Sequence, residues 1–294
     1  MIFGKPLAAL YPQLMLGLGN GAFYAMLSLG LALIFGMLNI INFAHGALYM
    51  MGAFAAYLLL EHFGLNYWFA LVLAPLIVGS FGMVIERTML KPLYKLDHLY
   101  GLLLTFGLAL ILEGVFRDQY GVSGISYPVP AELQGPPFNL GFMVLPIYRG
   151  WVVVASLVIC IATWLLIEKT KLGSYLRAAT ENPTLVQAFG INVPVMITLT
   201  YGLGVALAAL AGVLAAPIYS VNPLMGSNLI IVVFAVVVIG GMGSILGSVV
   251  TGFMLGLLEG LTKVYYPEAS STVIFVVMAI VLLIKPAGLF GRAS

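Results

Sequence analysis

Charge is what this chain lacks most. Asp, Glu, Lys and Arg make up 7% of its 294 residues, whereas a soluble domain carries about 25% to solvate its surface. With 62% apolar residues, too little polar material is present to cover the chain in water, so its surface must face lipid. No charged residue lies between Lys5 and Glu61, between Glu61 and Glu86, or between Glu181 and Glu259. A bilayer-spanning helix takes about 20 apolar residues, so the first and third gaps hold two and three spans. Backbone groups in lipid must be satisfied internally, which makes these segments helices. An outer-membrane barrel would instead show stretches of about 10 residues with alternating polarity, and the apolar runs here are unbroken. The formal charge of +2 comes without a basic block, which excludes a surface that tracks nucleic acid. A single cysteine, Cys160, excludes an internal disulfide and a cysteine-cluster metal site, and reads as a small apolar core residue. Three histidines, His45, His62 and His98, share no spacing and make no metal-ligand set. Phosphate-loop, His-Glu-x-x-His and Gly-x-Ser-x-Gly patterns are all absent, as is any paired acid–base set. The chain therefore reads as a non-enzyme without a cofactor of its own, and any ATP hydrolysis coupled to it belongs to another polypeptide.

What is present predicts an all-α polytopic membrane protein of eight or nine spans, some broken or re-entrant, in one domain over 1–294. The apolar runs place spans at 13–35, 45–60, 67–85, 99–117, 151–167, 195–217, 228–239, 244–261 and 272–284. At ~1.5 Å per residue the segment 228–239 is too short to cross alone and reads as broken or re-entrant. Lys5 is followed by an apolar run through Phe35 without a small-residue cleavage site, which reads as a retained first span. Arg87, Lys91, Lys95, Lys169, Lys171, Arg177, Lys285 and Arg292 fall on one side, against Lys5, Arg117, Arg149 and Lys263 on the other. The positive-inside rule puts 90–98, 168–194 and the C-terminus in the cytoplasm and the N-terminus outside. The outer loop 118–149 contains Pro128, Pro130, Pro136, Pro137 and Pro146 and reads as an irregular cap.

The polar segment 168–194 is the most informative. Asn182 can cap a helix with Pro183 at its first position, and Gly190 can terminate it. Leu185, Val186 and Phe189 would then share a face, following Thr180 and Glu181. A short helix with an apolar face outside the membrane needs a protein surface or a lipid interface to lie on. Glycines Gly252, Gly256 and Gly260 recur every fourth residue, after Gly243 and Gly247, and permit close helix packing. The run Gly240-Gly241-Met242-Gly243-Ser244 turns the chain sharply between two short spans. Polar residues inside spans are functional candidates. Asn39, Asn42 and His45 cluster where the first apolar run breaks, either capping broken helix ends or lining a path. Glu113 and Arg117 are placed to pair four residues apart. Glu259 has no evident sequence partner and is a candidate for proton relay.

The segment from Gly36 to Gly46, reading Gly-Met-Leu-Asn-Ile-Ile-Asn-Phe-Ala-His-Gly, resembles the signature of the leucine/isoleucine/valine-type branched-chain amino-acid ABC permease family. Further matches are Ile85-Glu86-Arg87 with Lys91-Pro92, Gly173-x-x-x-Arg177-Ala178, Gly190-Ile191-Asn192 and Ala211-Gly212-Val213-Leu214. The Gly240–Ser244 run and Lys285-Pro286-x-Gly288-Leu289-Phe290-Gly291 complete the set, and the resemblance spans nearly the whole chain. The Asn-Phe-Ala-His-Gly form resembles the first of the two permeases in such systems. The chain departs at 229–233, purely apolar where many relatives carry a Lys-Ala pair.

This resemblance implies a permease of the bacterial inner membrane that forms half of a translocation pore with a homologous second permease. It also implies two ABC ATPases on the cytoplasmic side and a periplasmic substrate-binding protein. ATP would be used by those partners. It assigns 168–194 as the coupling loop, with Thr180, Glu181, Leu185, Val186, Phe189 and Gly190 as the ATPase contact, and 118–149 as the periplasmic loop. Asn39, Asn42, Phe43 and His45 become the pore-side element, and Gly240, Gly241 and Gly243 a hinge. Branched-chain or other apolar amino acids are the implied cargo. Permeases for urea and short amides share several of these motifs, and an ion-driven secondary carrier is the alternative from another class. The charge-free run from Asn182 to Leu258 argues against the carrier, which needs coupling groups near the midplane.

Overall fold

Several spans begin where the sequence supplies a side-chain partner for orphaned backbone groups. The computed structural model describes residues 7–139, 141 and 144–291; Lys5 and Arg292, used for the orientation, lie outside them. The helices are α1 (Leu7–Leu38), α2 (Ala44–Phe63), α3 (Tyr67–Ile85), α4 (His98–Tyr120), α5 (Ile147–Lys169), α6 (Lys171–Glu181), α7 (Pro183–Ala188), α8 (Val193–Ala215), α9 (Ser227–Gly240), α10 (Ile245–Tyr265) and α11 (Val273–Ile284). A short π turn (Glu86–Leu90) and a 3-10 turn (Lys91–Leu93) extend α3. The side chains of Asn66, Asp97, Asn192 and Ser244 accept backbone N–H groups at the starts of α3, α4, α8 and α10. Gly64, with φ +62°, closes α2 by donating to Leu60 O.

Among the described residues, seven helices are long and apolar enough to cross a membrane: α1 to α5, α8 and α10. The protein is a multi-pass, all-α membrane protein. The expected spans at 228–239 and 272–284 appear as α9 and α11, of 14 and 12 residues. At ~1.5 Å per residue these reach about 21 and 18 Å, short of a ~30 Å core. The shortness of 228–239 is as expected, and 272–284 is a second short apolar helix. Among the described residues, the 118–149 loop carries one small hairpin, β1 (Phe138–Asn139) with β2 (Val144–Leu145).

Burial ranks the helices. In α1 and α8, 78% and 67% of the apolar window is inside the molecule, against 22% for α4 and 28% for α5, so α1 and α8 form the centre. The antiparallel α1–α10 seam depends on its small residues. A Cβ on Gly256 would lie 2.4 Å from Gly17 O and from Gly21 Cα, and one on Gly260 would lie 2.4 Å from Gln13 O. The four-residue glycine period therefore places two backbones in contact.

The break at Asn39–Phe43 is where α1 hands over to α2. Asn39 adopts φ +50°, the left-handed conformation asparagine tolerates. Asn42 Nδ2 donates to the Tyr201 hydroxyl of α8 at 3.0 Å, and His45 Nε2 donates to Leu27 O of α1 at 3.1 Å. The start of α2 is thus tied to both central helices. Residue pairs Gly46 with Gly226, and Phe43 with Phe234, lay the first half of α9 along the start of α2.

Candidate functional site

The polar segment after α5 folds back under the bundle because two of its residues fit the end of that helix. A Cβ on Gly173 would meet Ile167 O, so only glycine lets α6 turn this closely against α5. Arg177 then reaches α5's last turn, with Nη1 3.0 Å from Glu168 Oε2 and 3.4 Å from Ile167 O. A guanidinium at a helix C-terminus satisfies carbonyls that lack intrahelical partners. This accounts physically for the Gly-x-x-x-Arg spacing.

α7 follows with the expected cap. Asn182 Oδ1 accepts from Leu185 N at 3.0 Å, Pro183 occupies the first turn, and Gly190 at φ +83° ends the segment. The expected single apolar face is divided. Val186 is buried against Ala179 of α6 and Val193 of α8, whereas Leu185 is 54% and Phe189 77% exposed. Thr180, Glu181 and Gly190 are also exposed. Val186 therefore anchors α7 to the protein, and Leu185 and Phe189, four residues apart, face away from it.

A cleft of about 590 Å³ opens beside this segment. It is walled by the end of α1, by Trp164 of α5, by Arg177 and Thr180 of α6, and by the turn between α9 and α10; Asn39 and Gly243 also line it. Three groups singled out in the sequence, far apart along the chain, thus meet on one cavity. Asn42, Phe43 and His45 do not line it. Asn42 and His45 are buried in helix packing, and Phe43 sits between the rings of Phe106 and Phe234, at centroid distances of 6.1 and 6.4 Å. The contacts of Asn42 and His45 bind the start of α2 to α8 and α1, and Phe43 joins an aromatic cluster with α4 and α9. Asn42 Oδ1 and His45 Nδ1 make no hydrogen bond among the described residues.

The glycine turn is clamped rather than free. Gly241 and Gly243 have φ of +100° and +80°. The C-terminal segment docks on this turn, with Leu289 N donating to Ile239 O at 2.8 Å and Phe290 N to Gly240 O at 3.1 Å. A Cβ on Gly288 would lie 2.5 Å from Gly241 Cα. Two motifs about fifty residues apart are therefore two sides of one junction, which seals the carbonyl end of α9.

Two carboxylates hold elements together. Glu86, buried at the end of α3, accepts from Tyr94 OH at 2.5 Å and from Thr198 Oγ1 of α8 at 2.6 Å. Burial, reinforced by the hydrogen bond to Glu86, holds the Tyr94 phenol well above its ordinary range, so it stays a donor. The motif Ile85-Glu86-Arg87 pointed to this position but not to its partners. Glu259, for which no partner was expected, has three: Lys263 Nζ at 2.5 Å, Tyr24 OH at 2.7 Å and Asn20 Nδ2 at 3.3 Å. The pairing with Lys263 was legible as a four-residue helical spacing. Glu113 and Arg117 pair as expected, at 3.0 Å. Among the described residues no group of three His, Cys, Asp or Glu could hold a metal ion.

Comparison with known proteins agrees with this layout. A family described as the permease component of branched-chain amino acid transport systems matches residues 13–282. The chain is 30% identical to the high-affinity branched-chain amino acid transport system permease protein BraD of Pseudomonas aeruginosa, over 95% of each chain. It is 32% identical to a probable branched-chain amino acid transport permease protein, LivH, of Methanocaldococcus jannaschii, over 90% of this chain and 88% of that one. A second permease of that organism, LivM, is 29% identical over 74% of this chain and 68% of its own length. With a family model covering most of its length and its sequence motifs placed at the junctions described above, the chain belongs to the branched-chain amino acid transport permease family.

Proposed function

We propose that this chain is one of two homologous permeases in an ATP-driven importer of branched-chain or other apolar amino acids, and forms half of its pore in the bacterial inner membrane. Two ATPase subunits dock on the cytoplasmic side of the transporter, with 168–194 as this chain's contact to them, and an external binding protein delivers substrate beside the 118–149 loop. The N-terminus lies outside and the C-terminus inside. The chain needs no cofactor, because ATP is used by its partners.

The observation that carries this reading is the cleft shared by α6, the α1–α2 break and the glycine turn. α7 is capped, is rooted through Val186, and presents Leu185 and Phe189 to whatever docks there. An apolar helix face offered to a groove is an established mode of recognition. A push on α7 passes to α6 through their packing, and α6 borders the cleft opposite the α9–α10 junction. Thr180, Glu181 and Gly190 complete the contact. Gly240, Gly241 and Gly243 act as a hinge whose movement requires the two C-terminal main-chain bonds to yield.

Reconstitution tests this. Proteoliposomes would hold the chain, its second permease and the ATPases, with ATP inside and binding protein outside. Labelled leucine uptake that requires both ATP and binding protein is expected. ATP-dependent uptake of urea or an amide but not leucine would overturn the cargo, and ion-gradient-driven uptake by this chain alone would overturn the mechanism.

A further inference from the structure

The surface where α4 meets the start of α9 does not suit lipid. Glu113 lies about 22 Å along α4 from His98 and about 10 Å from Tyr120, at 1.5 Å per residue, in the outer part of a ~30 Å hydrocarbon core, with Arg117 one turn nearer its edge. Its carboxylate is bonded to Arg117 and to the Ser227 hydroxyl at the first residue of α9. Arg117, Ser227 and Asn228 are exposed, and α9 begins deep in the molecule, with Gly226 against Gly46. Other exposed faces differ. α3 presents Phe69, Val72, Leu76 and Ile77, and α5 presents Val154, Leu157, Val158 and Ile161, apolar without an ion pair, whereas α4 adds the Glu113–Arg117 pair and its exposed neighbours Ser227 and Asn228 to the apolar Phe106 and Leu110. The Glu259 pair differs too, because its carboxylate turns into the bundle to Tyr24 and Asn20 of α1. Ionisable side chains at hydrocarbon depth face protein or a water-filled path, since lipid cannot solvate them.

Along the same face, about 10 Å from Glu113 toward the cytoplasm, the rings of Phe43, Phe106 and Phe234 cluster. Glu113 of α4 meets Ser227 of α9, and Phe106 of α4 and Phe234 of α9 both meet the ring of Phe43, so the two helices carry a charged contact and an aromatic one about two turns apart. A neutral ion pair adjoining an apolar surface matches a zwitterion with an apolar side chain. The carboxylate of Glu113 suits an ammonium group, the guanidinium of Arg117 a carboxylate, and the aromatic cluster the side chain.

We propose that the α4–α9 face is the wall of the hydrated conduction path, turned toward the second permease, and that Glu113 and Arg117 engage the charged groups of the passing amino acid. This rests on the importer reading above and assigns the path to particular residues.

Single cysteines at Ser227, at Leu110 on the same α4 face and at Val158 on α5 test it, each with Cys160→Ala, in the complete reconstituted transporter during turnover. A membrane-impermeant cationic methanethiosulfonate is added from outside. Ser227→Cys and Leu110→Cys should react roughly tenfold or more faster than Val158→Cys, because only a hydrated path admits the reagent. Rates equal to that of Val158→Cys overturn the assignment of the face. Glu113→Gln and Arg117→Gln should each lower leucine uptake by about tenfold, with binding-protein-stimulated ATP hydrolysis retained. Unchanged uptake overturns their role in recognition. If the unmodified complex imports no leucine, the importer reading fails instead. Leucine import combined with slow Ser227→Cys labelling refutes the face alone.

Discussion

Phe189 gives the most direct handle on how this permease meets its ATPase. Its side chain is 77% exposed, and it follows a six-residue helix held in place by Val186 and by the Asn182 cap. Replacing it therefore removes little from the permease itself. If it seats in a groove on the ATPase, the complex gains the burial of an aromatic side chain, about 1.5–3 kcal/mol. Losing that gain weakens the complex by about 10- to 150-fold, at roughly 1.4 kcal/mol per tenfold. Phe189→Asp adds the cost of desolvating a carboxylate and belongs at the upper end. Titrating detergent-solubilised permease pair with ATPase, by fluorescence anisotropy of a labelled ATPase, measures this. The expected result is weakened binding with an unchanged thermal midpoint of the permease. Val186→Asp is the contrast: it places a charge in the α6–α7–α8 contact, so it should lower the thermal midpoint as well. Unaltered affinity in Phe189→Asp would refute the docking argument.

Two further outcomes follow from the packing. Gly256→Leu forces side-chain atoms into the backbone of α1 at Gly17 and Gly21; it should cost about 3 kcal/mol and appear as lost folded yield in size-exclusion chromatography. His45→Ala removes the hydrogen bond to Leu27 O and leaves a cavity between α1 and α2, and Asn42→Ala releases Tyr201. Each should lower stability by about 1–3 kcal/mol, seen as a lower thermal midpoint, and as pore-side residues each should also lower uptake per folded transporter; unchanged uptake would leave them a packing role alone.

Much of this architecture is legible in the sequence because it follows from local physics. The break at Asn39–His45, the Asn182–Pro183 start, the Gly190 stop and the Glu113–Arg117 pair all rest on neighbours within a few residues. The glycine period of α10 announces a close seam, although only the fold shows that α1 is its partner. Spacing alone groups Val186 with Leu185 and Phe189. Their separation depends on Ala179 and Val193, which approach only when α6 and α8 fold around α7. The same limit hides the union of the Gly240–Ser244 turn with the 285–291 segment, and the meeting of Asn39, Thr180 and Gly243 on one cleft. α11 keeps almost the bounds of the apolar run 272–284, so its shortness was as readable as that of 228–239. The partner of Glu259 was readable too, since Lys263 stands four residues away.

The central claim is that ATPase engagement at α7 is carried across the cleft between α6 and the glycine turn. Spin labels at Thr180→Cys and Met242→Cys, both exposed beside that cleft and with Cys160→Ala, report its width by pulsed electron–electron double resonance in the complete transporter. The account predicts that the distance distribution shifts between nucleotide-free and ATP-trapped states, and that Phe189→Asp abolishes the shift. An identical distribution in both states, in a transporter that imports leucine, would contradict it.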